Sequence, residues 1–288
     1  MASYLKRNLS AYLVSMRWQY SFIPAFAGLI GISFSVDSPT TTRQITILGI
    51  LFVGWGINQV INDYFGIEED RHNAPRRPMV NGSLNIGFAL CLSSALFLIG
   101  AVMTLLLNKE AIWIYIFIFA LNLAYERAKK VPLLGNIAFG LLIAPCVFYS
   151  AVCAGKGTIA GALTDKTLLA LALLVWLANT VFCFFTDFKD FLGDKKAGIN
   201  TLVAALGQDK AKYLGLLLAM LPYAAVFYFQ SFLEIIPRTN PLLLSAGIFC
   251  FLITAVIIFF NAHDKKETSR SLVWATVGVL LFEIGLCK

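Results

Sequence analysis

Residues 187–202 read DFKDFLGDKKAGINTL and follow the apolar run LLALALLVWLANTVFCFF. Asp187, Asp190 and Asp194 stand at i, i+3 and i+7, so a helix continuing from that run carries all three carboxylates on one face. Like charges crowded in this way repel unless a cation or a buried base neutralises them. Carboxylates are hard oxygen ligands, and Mg²⁺ held by a few of them usually completes its shell with water and phosphate oxygens.

A second stretch, NDYFGIEEDRHNAPRRP at 62–78, also follows an apolar run. Asn62 and Asp70 lie about two helical turns apart, Asp63 and Asp70 are similarly spaced, and Asn58 sits one turn before Asn62. Bases flank both stretches: Arg71, Arg76 and Arg77 after the first, Lys195 and Lys196 after the second. A third polar segment, AYERAKKVPLLGN at 124–136, adds Arg127, Lys129 and Lys130. Acids that hold Mg²⁺, beside Lys and Arg that clamp phosphates, describe a diphosphate site.

The elements that must position these residues are membrane helices. The 288 residues are 59% hydrophobic and 14% charged, with a mean hydropathy of +0.77. A soluble domain carries about a quarter charged residues. Apolar runs of roughly 20 residues recur, each long enough to cross about 30 Å of hydrocarbon. The pattern predicts an all-α, polytopic membrane protein of one domain over 1–288. Its nine spans are expected at about 12–34, 44–65, 86–107, 111–127, 133–153, 168–187, 213–233, 241–261 and 271–287. The N-terminus has no cleavage site after a short apolar core and reads as a retained first span.

Basic residues divide unequally between the two sides of this arrangement. Seventeen fall at the N-terminus and in the loops after spans 2, 4, 6 and 8. Six fall opposite: Arg43, Lys109, Lys156, Lys166, Arg238 and Lys288. The positive-inside rule places the first group, and both acidic stretches with it, in the cytoplasm of a cell (inner) membrane protein. Topology thus accounts for the net charge of +7 without nucleic acid, and for Lys212, Lys265 and Lys266 individually. It gives no reason for regularly spaced aspartates. The six cysteines sit mostly in apolar runs without C-x-x-C spacing and read as buried hydrophobes.

With these motifs in place, the chain resembles the UbiA superfamily of intramembrane prenyltransferases. DFKDFLGD matches its D-x-x-D-x-x-x-D-type motif after the sixth helix. NDYFGIEED matches its N-D-x-x-D-x-x-x-D motif at Asn62, Asp63 and Asp70, with Gly66 at the middle aspartate. RHNAPRRPMVNG is similar to the family's continuation through Asn73, Pro75, Arg77, Pro78 and Gly82. AYERAKKVPLLGN is similar to Y-S-x-x-L-K-x-x-P-L-L-G-N through Tyr125, Lys129 or Lys130, and Pro132 to Asn136. The N-x-P-x-R-P segment looks most like branches that make archaeal-type ether lipids, chlorophylls or tocopherol-type quinols.

The resemblance implies a helical bundle around a central cavity, capped by cytoplasmic loops and open to lipid. It implies Mg²⁺-dependent transfer of a prenyl group from an isoprenyl diphosphate to a lipophilic acceptor, an aromatic or quinol type or a lipid alcohol. Asp190, Asp194, Asn62 and Asp70 are the expected metal ligands, with Asp63 and Asp187 as ligands or their supports. Lys129, Lys130, Arg77 and Lys195 are the expected diphosphate clamp. Tyr125, Tyr149 and Phe148 are candidates to line the path of an allylic cation. Arg17, in SMRWQYSFIP, faces either an anionic substrate or the interface. Gly66 removes one carboxylate, and Glu69 is best spaced to compensate. A terpene cyclase using the same diphosphate site is the alternative within the family. A transporter would place its polar groups at the bilayer midplane instead.

Overall fold

The computed structural model describes residues 2–35, 38–237 and 239–288, without the side chains of Ala2, His72, Asn73 and Lys156. Arg238 and the side chains of His72, Asn73 and Lys156, which figure in the motif and charge readings, therefore lie outside the described residues. Every regular element among the described residues is helical. Seven helical segments are long and apolar enough to cross a membrane. They are α3 (Thr41–Phe65), α5 (Ile86–Leu107), α6 (Ala111–Ala128), the segment Leu134–Gly155, α10 (Lys166–Ala197), α12 (Gln208–Ser231) and α13 (Pro241–Asn261).

The first expected span is not continuous. Helix α1 (Ala2–Ser15) ends before Arg17, which adopts a left-handed backbone with φ 48° and ψ 50°. A short turn over Trp18–Tyr20 follows, and α2 (Phe22–Ser33) resumes in a new direction. Pro24 explains the break: its ring would clash with the Tyr20 carbonyl in an unbroken helix, while the first turn of α2 accepts it. Proline acts again within Leu134–Gly155, where α7 (Leu134–Ile143) gives way to α8 (Pro145–Ala151). The last expected span is α14 (Lys265–Gly285), which begins in the charged run KKETSR and packs along α13.

Helix starts follow their side chains. Thr40, Asn85, Asp165, Asn240 and Asp264 each accept a backbone N–H at the head of the next helix. Such caps satisfy groups that the helix itself cannot. Two glycines let helices approach closely. A methyl group at Gly31 would lie 2.1 Å from the Val147 carbonyl oxygen, so α2 touches the backbone of α8. One at Gly140 would lie 2.3 Å from the Trp176 carbonyl oxygen, so α7 touches α10. Small residues serve this purpose in lipid, where packing replaces the hydrophobic drive between helices.

Helix α10 is the axis of the bundle. Its 32 residues span about 48 Å at 1.5 Å per residue, well beyond the hydrocarbon thickness. Phe184, Phe185 and Phe188 are fully buried on it. Its last turns therefore project past the apolar layer and carry Asp187, Asp190 and Asp194 out of it. Gly198, with φ 70°, ends the helix, and Ile199 N–H bonds the Asp194 carbonyl at 2.8 Å. Short helices α4 (Ile67–Asn73), α9 (Ile159–Thr164) and α11 (Leu202–Leu206) connect the long ones. At the opposite end Arg43 donates to the Leu107 carbonyl at 2.7 Å and the Cys153 carbonyl at 2.6 Å, tying α5 and the α8 region to α3. Exposed Leu98, Leu106, Trp113, Phe117, Phe249 and Phe260 give the bundle its apolar outer surface.

Candidate active site

The two acidic stretches meet across one cavity of about 420 Å³. From the α3–α4 side come Gln59, Asn62, Glu69, Asp70 and Arg77; from α6, Tyr125, Glu126 and Lys129. From α10 come Asp187, Lys189, Asp190 and Asp194, and from the joint after α1, Arg17 and Tyr20. The three aspartates share one face of α10, as their spacing requires. The loops that alternate along the chain thus gather at one end of the bundle.

The acids of the two stretches are held differently. Asp63 is 1% exposed and pairs with both Arg17 and, at 3.2 Å, Arg77. Arg77 also pairs with Asp70, and Arg17 donates to Gln59 Oε1 at 2.7 Å. These contacts make a ladder of alternating charge, Arg17–Asp63–Arg77–Asp70. On α10, Asp187 accepts from the Asn136 amide at 3.0 Å, and Asp190 is 37% exposed with Lys189 at 3.4 Å.

A second cluster surrounds Lys129. Its ammonium lies 2.7 Å from Glu126 Oε2 and 3.1 Å from Glu69 Oε2, while Lys130 reaches Glu69 Oε1 at 2.6 Å. Burial alone would lower the Lys129 pKa, but Glu126 and Glu69 together more than offset that and raise it. Burial pushes the Glu69 carboxyl up, and Lys130 and Lys129 bring it below its ordinary value. Asp70 moves the other way: burial raises its pKa, and Arg77 offsets that only in part. Glu69, the residue expected to compensate for Gly66, is thus engaged by two lysines.

Below the charged rim lies an aromatic floor. Phe139 stands 5.9 Å from Trp55, 6.0 Å from Tyr125 and 6.0 Å from Phe182, ring centre to ring centre. Trp55 and Leu142 also line a second, smaller cavity that is mostly apolar and runs toward Phe97, Tyr115 and Cys146. Charged groups and π faces thus line one cavity, and Trp55 and Leu142 stand between it and an apolar recess.

Several expected site residues lie elsewhere. Asp63 sits behind the arginines and does not line the cavity. Neither does Lys130, nor Lys195, whose ammonium rests over the Phe191 ring at 5.3 Å. Asn58 faces the apolar recess. Tyr149 is buried against Thr104 at 2.9 Å and Phe148 packs into the core, so neither reaches the cavity. Asn136 lines it, whereas Asn122 is buried away from it. Glu283 accepts from the Asn179 amide at 3.0 Å inside the bundle. All six cysteines are free thiols.

The sequence reading did not single out Glu126, Gln59, Trp55, Phe139 or Phe182. For Glu126 a signal existed, its i,i+3 spacing to Lys129. For the aromatics none did, because 24 phenylalanines give no pattern by which to choose.

The donor set suits a hard cation. Asn62 Oδ1 and Glu126 Oε1, both on cavity-lining residues, are buried without a hydrogen-bond partner. Among the described residues no group of three or more His, Cys, Asp or Glu side chains is gathered closely enough to hold a metal alone. The carboxylates instead ring the cavity, so a cation there would complete its shell with oxygens from a ligand and water.

A membrane-embedded bundle with an acid-rimmed, aromatic-floored cavity is the architecture of an intramembrane enzyme acting on an amphiphile with an anionic head. Residues 21–282 match the model of the UbiA prenyltransferase family, and the chain belongs to that family. It is a multi-pass integral membrane prenyltransferase. It is 29% identical to the digeranylgeranylglyceryl phosphate synthase of Thermococcus kodakarensis over 88% of this chain and 90% of that one. Among solved structures it is similar to a UbiA homologue from Aeropyrum pernix, with TM-score 0.75, 18% identity and coverage of 93% of this chain and 96% of that one. A UbiA homologue from Archaeoglobus fulgidus bound to DMAPP and Mg²⁺ shares the fold at TM-score 0.62 and 15% identity, covering 95% of this chain and 99% of that one.

Proposed function

We propose that the chain transfers a geranylgeranyl-type prenyl group from its diphosphate to the hydroxyl of a glyceryl phosphate that already carries one such ether. The observation that carries this reading is the convergence of both acidic stretches on one cavity, above an aromatic floor and an apolar recess. The Thermococcus relative, a digeranylgeranylglyceryl phosphate synthase, supports the choice of acceptor, and ether lipids are one of the three product types whose branches the N-x-P-x-R-P segment resembles.

In the reaction the allylic C–O bond breaks with its electron pair leaving on the diphosphate. The acceptor oxygen forms the new C–O bond and gives up its proton to the departing diphosphate or to water. When bound, Mg²⁺ supplies positive charge against the leaving diphosphate. Asn62, Asp70, Asp190 and Asp194, with Asp187 held by Asn136, would provide its oxygen ligands from both sides of the cavity. Lys129, Arg77 and Lys189 present positive charge on the same rim. Tyr125, Phe139, Trp55 and Phe182 offer π faces to the allylic cation and no nucleophile strong enough to trap it. Asp63 orients Arg17 and Arg77 from behind. The chain works as one domain, with this rim on the cytoplasmic face of the cell membrane. The excess of basic residues on that side supports the orientation.

Purified full-length protein, incubated with Mg²⁺, geranylgeranyl diphosphate and the mono-ether glyceryl phosphate, is expected to release diphosphate and form the diether. Absence of release from folded protein would sink the enzyme reading for this donor. Release without any acceptor, accompanied by a cyclic product, would replace the transferase with a cyclase. A cysteine placed at Lys265 should react with an impermeant thiol reagent only from the cytoplasmic side.

A further inference from the structure

Gly66 closes α3 with φ −92° and ψ 9°, a conformation open to any residue, so the backbone does not require glycine there. A Cβ at this position would lie 3.7 Å from Asp70 Oδ2 and 3.7 Å from Lys129 Nζ, with the Asn62 carbonyl oxygen nearest at 3.1 Å. A side chain there would start out facing Asp70 and Lys129, with the Asn62 carbonyl giving way by a few tenths of an ångström. No side chain occupies that place. On another side of the same ammonium stands Glu126, brought in by α6.

Glu126 is 12% exposed and lines the cavity. Its Oε2 holds Lys129 at 2.7 Å, whereas its Oε1 is buried with no hydrogen-bond partner. A role as counter-ion to Lys129 accounts for the first oxygen and leaves the second unexplained. Leaving a buried acceptor unsatisfied is costly, most of all on a charged group. Asn62 Oδ1, also on the cavity lining, is in the same state. Glu69 is less free to serve, since Lys129 and Lys130 each engage one of its oxygens, whereas Glu126 keeps one oxygen without a partner.

We propose that Glu126 is a divalent-cation ligand, supplying from α6 the carboxylate that position 66 lacks. Its two oxygens divide the work: Oε2 keeps Lys129 in place on the rim, and Oε1 meets the cation. The inference rests on the reading of the cavity as a Mg²⁺–diphosphate site.

The test is Mn²⁺ binding in the presence of inorganic pyrophosphate, read by loss of the free-ion EPR signal on the purified full chain. Four proteins are compared: wild type, E126Q, G66D and the double variant, each checked for folding by thermal melting. E126Q keeps the shape of the side chain and should bind Mn²⁺ about tenfold or more weakly. Adding G66D to E126Q should restore binding to within about threefold of wild type, while G66D alone should gain less than it does in the E126Q background. Wild-type affinity in E126Q, or equal gains from G66D in both backgrounds, would overturn the assignment of Glu126 and leave the diphosphate site standing. Failure of the wild type itself to take up Mn²⁺ with pyrophosphate would remove both.

Discussion

The two acidic stretches carry similar residues and live in opposite circumstances. Where α3 meets α4, Asp63 and Asp70 are neutralised in place by Arg17 and Arg77, and their side chains are nearly inaccessible. At the end of α10, Asp187 has a neutral amide for its partner and Asp190 stands more than a third exposed beside the cavity. Repulsion among like charges is relieved by fixed protein cations in the first case. In the second, a good part of that relief is left to whatever enters the cavity. The first stretch therefore ties the loops together as well as lining the cavity, and on the proposed function the second serves the ligand.

The largest expected effect breaks the second stretch. Asp190→Ala and Asp194→Ala should each lower prenyl transfer by about 100- to 1,000-fold, measured as diphosphate release, with little change in melting temperature. Unaltered turnover in either variant would show that α10 does not hold the metal. Chelation by EDTA should likewise stop release while leaving the fold intact, because arginines rather than metal neutralise the first stretch. Arg77→Ala attacks that first stretch, leaving Asp70 without its arginine and Asp63 with Arg17 alone. It should cost about 2 kcal/mol of stability, below the range for a fully buried pair because Arg77 is 30% exposed.

A smaller effect probes the floor beneath both stretches. Phe139→Leu should reduce turnover by about tenfold at an unchanged Mg²⁺ requirement, since it removes the ring at the centre of the aromatic cluster. The smallest sharpens the comparison most. Asp63→Asn should lower the melting temperature by the equivalent of about 1 kcal/mol and leave the Mg²⁺ dependence of the rate where it was. A shift in that dependence equal to the one in Asp190→Asn would erase the distinction between the stretches.

Much of this was legible beforehand. Hydropathy marked the seven segments that are long and apolar enough to cross a membrane, whereas the first of the nine expected spans is broken at Arg17 and the last starts in a charged run. The spacing of Asp187, Asp190 and Asp194 put them on one face of one long helix. The break at Arg17 was readable in principle from Pro24, yet the continuous apolar character of 12–34 outweighed it. Asp63 and Asp70 looked alike in the motif, yet Asp70 lines the cavity and Asp63 stands behind Arg17, 46 residues from it along the chain. Lys195 follows the second motif directly, but the last turn of α10 carries it around the helix onto Phe191.

By itself the sequence determined the class of solvent, the helices, and the stretches that carry chemistry. Those depend on composition and on periodicities of a few residues, and lipid enforces them because every backbone group must be bonded within its own helix. Only the tertiary structure decided which acids are neutralised by arginine, which aromatics floor the cavity, and that Glu126 stands beside the gap at Gly66. These are meetings between helices α1, α3, α6, α7 and α10, set by how their surfaces interlock. Spacing along one helix holds no information about what another helix will bring to face it.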